Sequence, residues 1–203
     1  MIVGNEVTIT DIEADPIYNG QKVTVDDLAK FTLNLASKNA VTATKLINGV
    51  SQEYGDQRAH FKFLVMIYNA TGSSLTFRWS AKWRGSVWKY PADTTILNGQ
   101  WSCILYQSGS FNTIWPVGAL CYSVEEEHTA FLMGFRGRDN ALALSIQSDD
   151  DAQPSDEFLE EIATSTQATS NVTNAMKDSP TFNLSASIGD GPGPITKFIC
   201  SRT

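Results

Sequence analysis

The apolar period of this chain changes once, near residue 60, and that change limits the folds open to it. Before it, Leu28, Phe31 and Leu35 share one helical face, and Ala43, Leu46, Ile47, Val50 and Tyr54 continue at the same spacing. Thr24 with Asp27 three positions on reads as a capping-box start, and Gly55 as a stop. The pattern predicts two helices within 24–54, joined by a bend or short turn near Asn39. From His60 onward the period is two, in short β-branched and aromatic runs separated by turn residues. Residues 61–68 are apolar on both faces, as in a central strand, whereas Leu75, Phe77 and Trp79 alternate with Thr76 and Arg78 as in a half-buried one. Further strands are expected at 85–90, 100–107, 117–124, 129–136, 140–147, 181–188 and 195–201. Ser155 ahead of Phe158, Leu159 and Ile162 predicts a short helix near 155–163. Residues 164–180, rich in Thr, Ser, Asn and Ala, read as a polar excursion. The expectation is a single α+β domain over 1–203, in which a helical segment, 1–59, packs on or beside an antiparallel β-sandwich, 60–203.

The longest apolar run, Phe63 to Tyr68, is far shorter than the about 20 residues of a membrane-spanning helix, so no integral membrane association is expected. Residues 1–6 carry neither a basic region nor an apolar stretch, from which a cytoplasmic location is expected. Cys103, Cys121 and Cys200 are odd in number and lie in apolar strands, the pattern of reduced, buried thiols. The formal charge of −7 divides into −3 for residues 1–60, +2 for 61–148 and −6 for 149–203. Such a chain lacks the basic footprint of a nucleic-acid binder, and no nucleic-acid partner is expected.

Motifs of catalysis and cofactor binding are missing from the sequence. His60 and His128 stand outside any zinc-ligand spacing, and neither a nucleophile elbow nor a phosphate-binding Gly-x-x-x-x-Gly-Lys occurs. A Cys121–His128 nucleophile pair would be opposed by Glu125–Glu127. No catalytic residue, metal or cofactor is therefore assigned. The acidic runs 125–127 and 149–151 could bind calcium if the two loops meet, and otherwise serve as solvated loops. The most unusual stretch runs from Arg78 to Tyr90, where Trp79, Trp83 and Trp88 interleave with Arg78, Lys82, Arg84 and Lys89. Such a cluster can stack on sugar rings, lie in a lipid headgroup layer or hold an aromatic ligand; alternatively its indoles fill a sandwich core. Trp83, Arg84, Trp88, Lys89, Tyr90 and Trp101 are the candidate ligand-binding residues.

Residues 67–72 (Ile-Tyr-Asn-Ala-Thr-Gly), 83–91 (Trp-Arg-Gly-Ser-Val-Trp-Lys-Tyr-Pro) and 96–101 (Ile-Leu-Asn-Gly-Gln-Trp) resemble motifs of the plant 23 kDa jasmonate-induced protein family, in that family's order. The resemblance implies a jasmonate-linked stress or defence protein and supplies no enzymatic reaction to transfer. At fold level the sequence also looks distantly like the compact sandwiches of actinoporins and aegerolysins. Together these readings predict a non-catalytic binding module whose partner is a glycan, a lipid headgroup or a small metabolite. The alternative is a plant-specific enzyme or pathway helper using Tyr, Asp or Glu in a pocket of the sandwich.

Overall fold

The computed structural model describes residues 1–53, 62–89, 91–107, 116–137, 140–175, 180–189 and 195–203. Residues 39, 42, 43, 46–53, 62, 88, 89, 151 and 175 are described by backbone alone. Along the chain lie β1 (Ile2–Val3), α1 (Ile9–Glu13), α2 (Val25–Glu53), β2 (Lys62–Ala70), β3 (Leu75–Arg84), β4 (Ser86–Lys89), β5 (Thr95–Ile96) and β6 (Trp101–Gln107). They are followed by β7 (Val117–Val124), β8 (Thr129–Arg136), β9 (Ala141–Ser148), α3 (Asp156–Thr164), β10 (Thr169–Ala175), β11 (Thr181–Ile188) and β12 (Ile195–Arg202).

Among the described residues the strands form two sheets. One has the order β1-β6-β2-β12-β11-β10, with β4 also pairing β6; the other has the order β5-β3-β7-β8-β9. Their facing sides enclose the main apolar core, where Phe63 stacks on Phe135 at 5.3 Å and Phe131 meets Phe182 edge-on at 5.6 Å. Helix α2 covers the outer face of the first sheet, setting Ala36 and Ala40 over Tyr68, Trp101 and Cys103. Helix α3 covers the second, with Phe158 and Ile162 on Ala119, Cys121 and Leu132.

The architecture is thus mostly β, with two packed sheets and few helices, and four expectations need correction. The bend near Asn39 is absent: α2 is one helix of 29 residues. No Gly or Pro precedes Gly49 in it, and burial of Ala36 and Ala40 on the sheet outweighs the weak local propensity of Ser37 and Asn39. The expected stop at Tyr54–Gly55 lies outside the described residues. Residues 164–180 are not an excursion throughout, because Thr169–Ala175 is a strand paired with β11 over its whole length. Val172 is the lone apolar side chain between its ends, so this edge strand leaves almost no period-two signal.

The sheets are not purely antiparallel either: β12 runs parallel to β2, from Ile195 opposite Leu64 to Ser201 opposite Ala70. Side-chain alternation tells which face a residue occupies but not which way a neighbouring strand runs. Finally, Phe77 and Trp79 do not share a face. The register of β3 against β7 shifts between Phe77, opposite Tyr122, and Trp79, opposite Cys121. This bulge at Arg78 turns Trp79 outward, where its indole N–H donates to the Ala152 carbonyl ahead of α3.

Candidate functional site

Strand β3 leaves one sheet and β4 joins the other, so the segment carrying the tryptophan-rich stretch forms a corner of the sandwich. A second register shift, between Lys82 and Arg84, places Trp83 on a bulge. Gly85 makes the crossing turn at φ +76°, and a Cβ there would lie 2.8 Å from the Gln107 carbonyl oxygen, which restricts the position to glycine. Bulge and turn together leave Trp83 47% exposed between exposed Lys82 and Arg84, with Val87 41% exposed beyond them. The backbone of Trp88 and Lys89 belongs to β4 beside β6, whereas Tyr90 lies outside the described residues.

Trp101 does not belong to this surface. It is fully buried beneath α2, 4.8 Å from the Tyr68 ring, and pairs across the ladder with Val3 and Tyr68. Its position in an apolar β6 made it a core residue, and its indole N–H has no hydrogen-bond partner among the described residues. Arg78 is also separate. Its guanidinium lies 3.2 Å from Asp149 Oδ1 and 3.7 Å from Glu125 Oε1. The acidic runs 125–127 and 149–151 therefore do meet, and the Asp149 N–H donates to the His128 carbonyl at 2.9 Å, but an arginine supplies the positive charge between them. Among the described residues no group of three or more His, Cys, Asp or Glu is placed to hold a metal ion.

The opposite end of the sandwich contains a cavity of about 420 Å³. Its back wall is built from the turns after β2 and before β6, the same turns that hold the Asn69–Gly72 and Asn98–Gly99 sequences. Asn69 Nδ2 donates to the carbonyls of Ser73 and Ile96, both at 2.7 Å, while its Oδ1 accepts from the Thr71 N–H and hydroxyl. Asn98 Oδ1 accepts from the Gly72 N–H at 3.0 Å, and its Nδ2 donates to the Val7 carbonyl and to Thr32 Oγ1. Two buried amides thus lock two turns, the segment before α1 and helix α2 into one unit. Val7, Leu28 and Val124 give the cavity an apolar lining, Thr8, Ser73 and Thr76 add hydroxyls, and Glu6, Glu125 and Glu126 stand at it as exposed carboxylates. The cavity has no contiguous signal in the sequence, because its parts come from segments up to about 120 residues apart in the chain.

The three thiols have no access to solvent. Burial pushes Cys103 and Cys121 up to about 12 and Cys200 upward as well, so none is an activated nucleophile. No helix among the described residues is long and apolar enough to cross a membrane.

A family model described as Nakanori-like protein matches residues 4–202. The 23 kDa jasmonate-induced protein of Hordeum vulgare is 27% identical over 123 residues, 60% of this chain and 57% of the barley protein, in keeping with the motif resemblance. The chain thus matches a little over half the length of that relative. Among solved structures, the lipid binding protein Nakanori aligns over the whole of both chains with a TM-score of 0.80 at 20% identity. The Xerocomus chrysenteron lectin XCL aligns over 70% of this chain and 99% of its own with a TM-score of 0.45 at 10% identity.

Proposed function

The chain belongs to the Nakanori-like protein family, and from that premise we propose that it is a non-catalytic binding module that docks on a lipid headgroup layer through the corner formed by Trp83, Arg84 and Val87. The observation that carries this reading is the bulge at Trp83, which holds a large indole in solvent between two cations instead of in the core. Exposing an indole forgoes roughly 2 kcal/mol of burial, a cost that a docking surface recovers when the ring enters the headgroup region. Lys82 and Arg84 would meet lipid phosphate oxygens, and Arg can do so with two parallel hydrogen bonds. The description of Nakanori as a lipid binding protein supports a headgroup over a glycan or a metabolite. The barley relative supports a jasmonate-linked setting, with a stress or defence role as the corresponding physiological proposal.

Contact at the corner requires no insertion, so the protein is expected to sediment with phosphatidylcholine vesicles without releasing an entrapped dye. Trp83→Ala and Arg84→Glu should each weaken vesicle binding about tenfold or more, the scale of one lost interfacial anchor. Trp88→Ala and Lys89→Ala, read on the same vesicles and on a glycan array, define how far the surface extends along β4. Vesicle binding unchanged in both Trp83→Ala and Arg84→Glu would remove the corner as the docking site. Capture by a glycan that is lost in the same two variants would replace the lipid with a sugar.

A further inference from the structure

The cavity at the other end of the sandwich plays no part in that lipid contact, and we propose that it binds an extended organic polycation, a polyamine-like chain of ammonium groups separated by methylenes. Three features of the cavity select this chemistry. Its charged lining is of one sign: Glu6 comes from the segment before α1, Glu125 and Glu126 come from the turn after β7, and no Lys or Arg lines it among the described residues. Arg78, beside the cavity, is shared with Asp149 and reaches Glu125 only at 3.7 Å, and Arg202 is engaged by Asp26 and Glu127. Between the carboxylates, Val7, Leu28 and Val124 present apolar surface suited to methylenes, and the hydroxyls of Thr8, Ser73 and Thr76 can accept from N–H donors. The volume, about 420 Å³, lies within the range of small-ligand sites.

The lack of a converging donor set among the described residues separates this ligand from a metal ion. A hard divalent cation gathers six or more oxygens around one point, whereas no three acidic groups among the described residues converge in that way. Carboxylates supplied by two different segments at one opening, Glu6 from one and Glu125 with Glu126 from the other, instead match a cation whose charges are themselves spread along a chain. The walls are preformed, which limits the ordering cost of binding. Asn69 and Asn98 fix two of them, and Thr8 is held by its side-chain and backbone bonds to Asp11 Oδ2, both at 2.7 Å. The Asn69–Gly72 and Asn98–Gly99 turns, prominent in the sequence yet absent from the aromatic corner, find their use here.

Calorimetric titration of the full chain with spermidine tests the proposal. One saturable site is expected, its affinity falling about tenfold or more between about 50 and about 500 mM salt, because exposed ion pairs are screened. Combined Glu6→Gln and Glu126→Gln should weaken binding at least tenfold while leaving thermal unfolding in place. Glu157→Gln with Glu160→Gln makes the same charge change on α3, away from the cavity, and should leave the affinity as it was. Trp83→Ala should also bind spermidine normally, which keeps this test separate from the lipid reading. Failure to saturate at millimolar spermidine would overturn the site, as would equal weakening by the α3 pair. Displacement of spermidine by calcium at equal concentration would assign the lining to a metal instead.

Discussion

Gly72 follows the buried Asn69 and Thr71 at φ +82°, and a Cβ there would stand 2.7 Å from both the side chain and the carbonyl of Val25. Left-handed backbone and a collision with the first turn of α2 act together, so Gly72→Ala should lower unfolding stability by about 2 kcal/mol or more in urea. Asn98 is expected to be more sensitive than an ordinary polar side chain. Its three hydrogen bonds reach Gly72, Val7 and Thr32, and Asn98→Ala would strand those buried partners at a cost of about 3 kcal/mol. Ser74→Ala, at an exposed position of the same cavity, should stay within about 0.5 kcal/mol of the parent. Equal effects of the Asn98 and Ser74 substitutions would show that the amide network does not hold the turns.

At the scale of the element, α2 carries two checks. Its start is a capping box: the Asp27 N–H donates to Thr24 Oγ1 at 3.2 Å, and Asp27 Oδ2 accepts from the Thr24 hydroxyl at 2.6 Å and from its N–H at 3.0 Å. These bonds, the hydroxyl first, hold the Asp27 carboxyl below the ordinary carboxylate range. A lowered folded pKa stabilises the cap above the unfolded value of about 3.9, and the benefit is lost as pH falls through the folded one. Amide exchange in the first turn of α2 should therefore accelerate below about pH 4, and Thr24→Ala should remove that acid-dependent step. Midway along the helix, Asn39→Pro should cost about 3 kcal/mol or more, because it interrupts a continuous helix over the first sheet. A bend at that position would instead accept proline with little change in the denaturation midpoint.

The whole molecule buries its thiols on both sides of the sheets as well as between them: Cys103 under α2, Cys121 under α3 and Cys200 in the main core. Burial raises all three pKa values, to about 12 for Cys103 and Cys121. A raised folded pKa stabilises fully below the unfolded value, about 8.5, and the contribution is lost as pH rises from there towards the folded one. Global stability should thus fall above about pH 8.5, by roughly 1 kcal/mol per pH unit for each thiol. Replacing all three Cys by Ala should flatten this alkaline limb, although the cavities left behind lower stability at every pH. In the native state all three should resist a thiol reagent and react together on unfolding, and a thiol that labels rapidly at neutral pH would contradict its burial.

The sequence by itself determined the element types and many of their limits. The period change near residue 60, the Thr24 and Ser155 caps and the alternation in β11 and β12 are local signals, because each depends on residues within a few positions of one another. Tertiary structure alone decided the rest. The parallel pairing of β12 with β2 depends on strand direction, which alternation does not encode, and β10 is recognisable as a strand only through its partner β11. The aromatic stretch was legible as a cluster but not as a surface. A bulge at Arg78 turned Trp79 outward onto the segment ahead of α3, a second left Trp83 in solvent, and burial under α2 took Trp101 into the core. An acidic cavity assembled from the segment before α1, the turn after β2, the turn before β6 and the turn after β7 has no contiguous sequence signal, since only folding brings Glu6 and Glu126 to one opening.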